Sequence, residues 1–233
     1  VDCEKFISFR QGNPRWGVIE KIKGEINSLV KNLRYNKNGF DLLYNEIKRQ
    51  KFPCTFMLVG RLFSPLEKLD FVEYGYHTLN HIPLTLISNE KIEREVENIY
   101  NLKSMTPPLW MIENIKNPSR VFKILKKNGY DNIVYKGKDD GIRGFHNLSL
   151  EKCKKRFGIK CVHLSNYFEG NSSKKQIEKI KKEIVNNLNK DAIYLFSTHD
   201  FTHKNIKNFR EMIYFIKKLE KQGRIKTTLL KNA

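Results

Sequence analysis

The sequence predicts one α/β domain built around a mostly parallel sheet. Three observations carry that expectation. Apolar runs of strand length alternate with amphipathic helical patterns along most of the chain. Single Gly, Pro, Asn or Ser signals, rather than long linkers, punctuate them. The 233 residues are enough for one domain with a substantial core, and no composition shift marks a second.

The elements follow in order. Residues 40–49 read as a helix because Phe40, Leu43, Tyr44 and Ile47 share one face, after the turn signal Asn38-Gly39. Residues 54–59 form a buried strand closed by Gly60, and residues 71–76 a second strand leading into His77. Ser88 caps a helix with Ile92, Val96, Ile99 and Leu102 on its inner stripe, and Glu90 and Glu93 suit its positive first turns. Residues 109–112 are expected as a strand. The next helix lies between Pro118 and Gly129, with Val121, Ile124 and Leu125 inward. Residues 132–135 form a short strand, 148–157 a helix and 159–164 a strand. Ser172 or Ser173 caps a helix to about residue 188, and residues 192–197 form a strand that empties into Thr198-His199-Asp200. A helix over residues 205–221, stopped by Gly223, and a last strand over residues 225–230 complete the pattern.

Composition narrows the function classes. Hydrophobic residues at 39% and charged residues at 30% describe a globular chain rather than a disordered one. The 44 Lys and Arg against 25 Asp and Glu give a formal charge of +19, which suits an anionic partner. Most of these lysines fall on the outer faces of predicted helices, so a dedicated nucleic-acid partner is not favoured. Cys3, Cys54, Cys153 and Cys161 are dispersed and form neither a zinc knuckle nor a redox pair; core thiols account for Cys54 and Cys161. No apolar run reaches the length of a membrane span, no glycine-rich phosphate loop is present, and no signal peptide is visible. The chain starts at Val1 rather than Met, so a cytoplasmic location and one peripheral to the cell envelope both stay open.

Chemistry concentrates at four places. His77 and His81 stand four residues apart, a spacing that puts two imidazoles on one side of a helical turn, close enough to grip one ion. Asp2 and Glu4 could divide the work of metal ligand and proton acceptor between them. His199 follows a buried strand, the usual address of active-site residues in parallel β/α folds, with Asp200 or another carboxylate to tune it. His203 is nearby and expected at the surface, and His163 is expected to point into the core. The segment from Asp139 and Asp140 to Arg143 could orient a base or hold an anion, although a glycine turn accounts for it equally.

Taken in order, these segments resemble the polysaccharide deacetylase family, the NodB-homology domain of chitin and peptidoglycan deacetylases. FDLLYNEIKRQKFPCTFMLVG resembles the helix and strand before the family's metal histidines. EYGYHTLNH resembles its His-Ser/Thr-x-x-His motif, and LTLISNEKIEREVENI the helix that follows. The segment AIYLFSTHDFTHKNIKNFREMIYFIKKLEKQGRIKTTLL resembles its last strand, histidine loop, long helix and terminal strand. The resemblance implies a distorted parallel (β/α)7-type barrel and a single catalytic domain over residues 1–233, entered within its first strand. It implies a metal-dependent hydrolase that removes an N-acetyl group from a sugar in a polysaccharide or glycan precursor, with Asp2 as base, His199 as acid, and Glu4, His77 and His81 as metal ligands. The implied metal is zinc, with cobalt, nickel or manganese as alternatives.

Two departures stand out. Glu4 replaces the usual Asp, and the family's Arg-x-Pro segment falls near Thr106-Pro107-Pro108-Leu109-Trp110, which lacks the Arg. Arg143 is a candidate source of the missing charge, and Trp110 a candidate platform for a sugar ring or a structural aromatic. A non-catalytic carbohydrate-binding or assembly protein on the same scaffold is the alternative reading.

Overall fold

The computed structural model describes residues 2–3, 38–60, 67–98, 100–110, 112, 117, 119–135 and 153–233. Among these residues eight strands lie in chain order: β1 (Asp2–Cys3), β2 (Cys54–Leu58), β3 (Val72–Tyr76), β4 (Ser104–Met105), β5 (Asn132–Tyr135), β6 (Lys154–Arg156), β7 (Ile159–Tyr167) and β8 (Leu195–Ser197). Among the described residues five α-helices accompany them: α1 (Asn38–Gln50), α2 (Asn89–Glu95), α3 (Arg120–Lys127), α4 (Lys174–Asn186) and α5 (Lys207–Lys221). The sheet runs β1-β2-β3-β4-β5-β7-β6, and β8 pairs with the far half of β7. Every pairing is parallel except the β6–β7 hairpin. The sheet curls 246° round an axis, so the described strands form a half-barrel rather than a closed one.

Strand alternation sorts the side chains into two faces. On β2, Phe56 and Leu58 point outward into a cluster with Phe40, Leu43 and Ile47 of α1 and Phe209, Met212 and Ile213 of α5. Met57 points the other way, into the lumen, where it meets Trp110, Val134, Val162, Leu164 and Leu230. A third cluster packs α2 and α3 on the outer face beside Met105, Ile133 and Tyr135. Inside the lumen Glu73 is buried and fully engaged: it accepts hydrogen bonds from the hydroxyls of Thr55 (3.0 Å) and Ser104 and from the Lys231 N–H (3.0 Å). Those bonds satisfy a carboxylate that burial alone would disfavour, and they fasten the chain's last residues to β2, β3 and β4.

Helix ends follow the sequence signals where a cap is present. Ser88 accepts from Lys91 N–H, and Ser173 accepts from Gln176 N–H at 3.2 Å. The helix begun at Ser88 stops at Glu95 rather than reaching residue 102, because the Asn98 side chain ties the chain into a turn through both the N–H and the carbonyl of Leu102.

Other expectations are corrected. Residues 108–110 are a 3-10 turn rather than a strand, the extended part being Ser104–Met105 just before the two prolines. Within the expected helix over residues 148–157, the described part is strand β6, since Phe157 (φ 48°) and Gly158 (φ 82°) form a two-residue hairpin turn with both φ values positive. Residues 225–229 carry no strand assignment, and a 3-10 turn over Leu230–Asn232 follows. No helix among the described residues is long and apolar enough to cross a membrane.

Phe56 is fully buried, its ring 5.5 Å from Phe40, 6.0 Å from Tyr44 and 6.4 Å from Tyr74. Phe56→Ala is expected to cost about 3–5 kcal/mol, lowering the calorimetric melting temperature by roughly 6–20 °C. A loss under about 2 °C would contradict this account of the outer core.

Candidate active site

The level ending of the parallel strands creates the site. Leu58 of β2 pairs with Tyr76 of β3, and Tyr76 pairs with Met105 of β4. The ladder then continues one residue further, with His77 N–H donating to Leu58 O at 2.9 Å and Thr106 N–H donating to Tyr76 O at 3.0 Å. His77 and Thr106 therefore leave the sheet side by side at its C-terminal edge. The His77 ring is buried, and its Nδ1 lies 2.6 Å from the Thr106 carbonyl oxygen. A carbonyl can only accept, so the proton sits on Nδ1 and the lone pair on Nε2. The residue after Thr106 is Pro107, which biases Thr106 toward extended backbone.

The segment from His77 to His81 is not the helical turn its spacing suggests. Thr78 (φ 65°) and His81 (φ 58°) both occupy the left-handed region, which is costly for a β-branched residue such as Thr78. Fixed partners hold the bend in place. Gly60 N–H donates to Thr78 O and Leu79 N–H to Glu95 O, each at 2.9 Å. The Glu95 carboxylate accepts from Asn80 N–H at 2.8 Å and from the Asn80 amide at 2.6 Å. Asn80 thus shapes the loop from the end of α2. The result brings the His77 and His81 ring centres to 4.8 Å at an interplanar angle of 50°.

A similar construction stands at the ends of β7 and β8. His199 lies two residues beyond β8 with its Nδ1 2.6 Å from Glu169 Oε1, and Glu169 lies two residues beyond β7. The same carboxylate accepts from the Thr202 hydroxyl at 2.7 Å, while Ser172 Oγ accepts the Glu169 N–H at 2.8 Å. Of the two possibilities the sequence leaves open, Asp200 or another carboxylate, the carboxylate at His199 Nδ1 is the second, Glu169. Asp200 is buried and caps its own turn, accepting from Phe201 N–H at 2.8 Å. His203, expected at the surface, is also buried, with Nε2 2.7 Å from Thr198 Oγ1; burial lowers its pKa from the usual 6.5. His163 is in the core as expected, against the Tyr135 ring.

Two glycines let the histidine loop sit where it does. A Cβ at Gly39 would stand 2.0 Å from Asp200 O, and one at Gly170 would stand 2.4 Å from Thr202 O. The loop is thus clamped between α1 and the turn after β7. Trp110 joins the two histidine centres, since it follows Thr106 by four residues and its ring centre lies 6.0 Å from His199 and 6.0 Å from Tyr167. It is only 3% exposed, so it supports His199 from within rather than offering an open platform to a sugar.

The histidine pair fits a metal ion in its geometry and tautomer. Two imidazoles bound to one ion at about 2.0–2.1 Å place their ring centres roughly 5 Å apart. A second hydrogen bond from the ring to a carbonyl, as His77 makes, is the common way a ligating histidine is oriented. Among the described residues no group of three His, Cys, Asp or Glu side chains converges to complete such a site. Glu4, the expected third ligand, lies outside the described residues, as do Asp139, Asp140, Arg143 and His146; of Asp2 only the backbone is described, paired with Met57.

No family model matches the chain, and no curated protein matches it. Among solved structures there is a likeness to one from Bordetella bronchiseptica described as "a putative polysaccharide deacetylase involved in o-antigen biosynthesis": 10% identity over 81% of this chain and 80% of that one, with a TM-score of 0.43. At that score the likeness has no functional weight.

The His203 environment predicts an acid dependence of stability. Its folded pKa lies below the unfolded value, so as pH falls from about 6.5 the unfolded chain takes up a proton that the folded one refuses, and stability falls. Urea midpoints measured between pH 7.5 and 5 should decline less steeply for His203→Gln than for the parent chain. Equal slopes would contradict the assignment.

Proposed function

We propose that this chain is a divalent-metal-dependent hydrolase that removes an N-acetyl group from a sugar in a polysaccharide or glycan precursor. The observation that carries the reading is the pairing of His77 and His81 at 4.8 Å, with the His77 tautomer set by Thr106, on the same strand-end edge as the Glu169–His199 pair. The scaffold in this reading is the (β/α)7-type barrel of the polysaccharide deacetylases.

His77 and His81 would hold the ion through Nε2 of His77 and a ring nitrogen of His81, and Glu4 would supply the anionic ligand. Zinc suits this nitrogen and carboxylate set, with cobalt, nickel or manganese as substitutes. A divalent ion so held supplies Lewis-acid polarisation of the acetamide carbonyl and of the attacking water. Asp2 takes the proton released as the water oxygen bonds to the acyl carbon. His199 gives a proton from Nε2 to the departing nitrogen as the C–N bond breaks, leaving acetate and a free amine. Glu169 holds the Nδ1 proton of His199, which fixes the tautomer and stabilises the imidazolium form. Trp110 and the glycine-clamped loop limit the freedom of that ring, so orientation is set before substrate arrives.

The test is metal content and acetate release after reconstitution with zinc or cobalt, using an acetylated chito-oligosaccharide as substrate. About one ion per chain is expected, lost in the double variant His77→Ala/His81→Ala. His199→Ala should keep its metal but release acetate about 10²–10⁴-fold more slowly. No specific ion after reconstitution, or metal unaffected by the double variant, would overturn the reading.

A further inference from the structure

A cavity of about 400 Å³ runs through the open side of the half-barrel, and the proposed chemistry does not use it. One end lies at the N-terminal ends of β2 and β8, beside Pro53, Cys54 and Ala192. The other end reaches Thr106, Trp110 and Thr198, directly beneath the strand-end residues that carry His77 and His199. None of His77, His81 and His199 lines it. Between the ends its walls are mainly aliphatic, from Met57, Leu188, Leu195, Ile213 and Ile216.

Among the described residues, the charged members of the lining are Lys190, Arg224 and Lys226. All three are exposed and have no ion-pair partner among the described residues. Glu220, on the last turn of α5, is not part of the lining; its Oε1 accepts from the N–H (2.9 Å) and hydroxyl (2.6 Å) of Thr227. A mainly aliphatic channel whose charged lining residues, among those described, are three cations matches a molecule with an anionic head and a flexible apolar tail. Arg224 adds the fork geometry that receives a carboxylate.

We propose that this cavity binds a free long-chain fatty acid, its carboxylate held by Lys190, Arg224 and Lys226 and its tail running inward toward Trp110. Because Trp110 also packs on His199, an occupied cavity restricts the ring that supports that histidine. The inference is independent of the metal reading, since it uses none of the metal ligands.

The test is isothermal titration calorimetry with dodecanoate below its micelle concentration, run beside neutral 1-dodecanol. The parent chain is compared with the surface variant Lys190→Glu/Arg224→Glu/Lys226→Glu and with the cavity-filling variant Leu195→Trp. Far-UV circular dichroism checks that each is folded; the surface variant decides the matter if the filled one does not fold. The expected result is saturable binding of one dodecanoate per chain, at least tenfold weaker in the surface variant, with dodecanol at least tenfold weaker than dodecanoate. No saturable binding of dodecanoate, equal affinity in the surface variant, or dodecanol bound as tightly as dodecanoate would overturn the proposal.

Discussion

The parallel register of β2, β3 and β4 is the constraint on which the rest of the site depends. Because Leu58, Tyr76 and Met105 stand level, the next residues emerge together, and a single backbone carbonyl, that of Thr106, can receive the His77 ring. A one-residue slip of β3 would turn His77 to the opposite face and leave its ring without that acceptor. Glu73 guards the same register from the lumen side, since its bonds to Thr55 and Ser104 join β3 to both neighbours at once. A buried carboxylate is an expensive way to pin strands, and removing one of its partners leaves the charge uncompensated.

Both histidine centres place a strained or crowded loop on a rigid edge and hold it with a glutamate. Glu95 fixes the bend that carries His77 and His81, and Glu169 fixes the turn that carries His199. Left-handed backbone at two non-glycine residues costs about 1–2 kcal/mol each, which hydrogen bonds from Gly60, Leu79 and Asn80 offset. Such over-determination keeps a loop in one conformation, as catalysis by orientation requires.

Much of this was legible in the residues. Apolar runs of strand length and helical periodicity located β2, β3, β5, α1, α4 and α5, because those strands are buried on both faces and those helices bury one. The emergence of His77 and His199 at strand ends followed from the same reasoning. Glu169 was not legible, since it lies 30 residues from His199 and only the parallel pairing of β7 with β8 brings them together. The sequence names Asp200 or another carboxylate; Asp200, adjacent in sequence, accepts from the Phe201 N–H of its own turn. The bend at residues 77–81 was hidden for a related reason: four-residue spacing suits a helix, and the distant Glu95 selects the other conformation. The turn at Phe157-Gly158 carried a readable signal in its glycine, overridden by the lysine-rich helical pattern before it.

The central claim is that the Thr106 carbonyl fixes His77 with its proton on Nδ1 and its lone pair on Nε2, beside His81. Long-range ¹H–¹⁵N correlation spectra of the histidine side chains at neutral pH read that tautomer directly. The account predicts the Nδ1–H form for His77, with the Nε2 signal of His77 and a ring nitrogen of His81 both moving when one equivalent of zinc is added. A His77 protonated on Nε2, or zinc that leaves both rings unmoved, would contradict it.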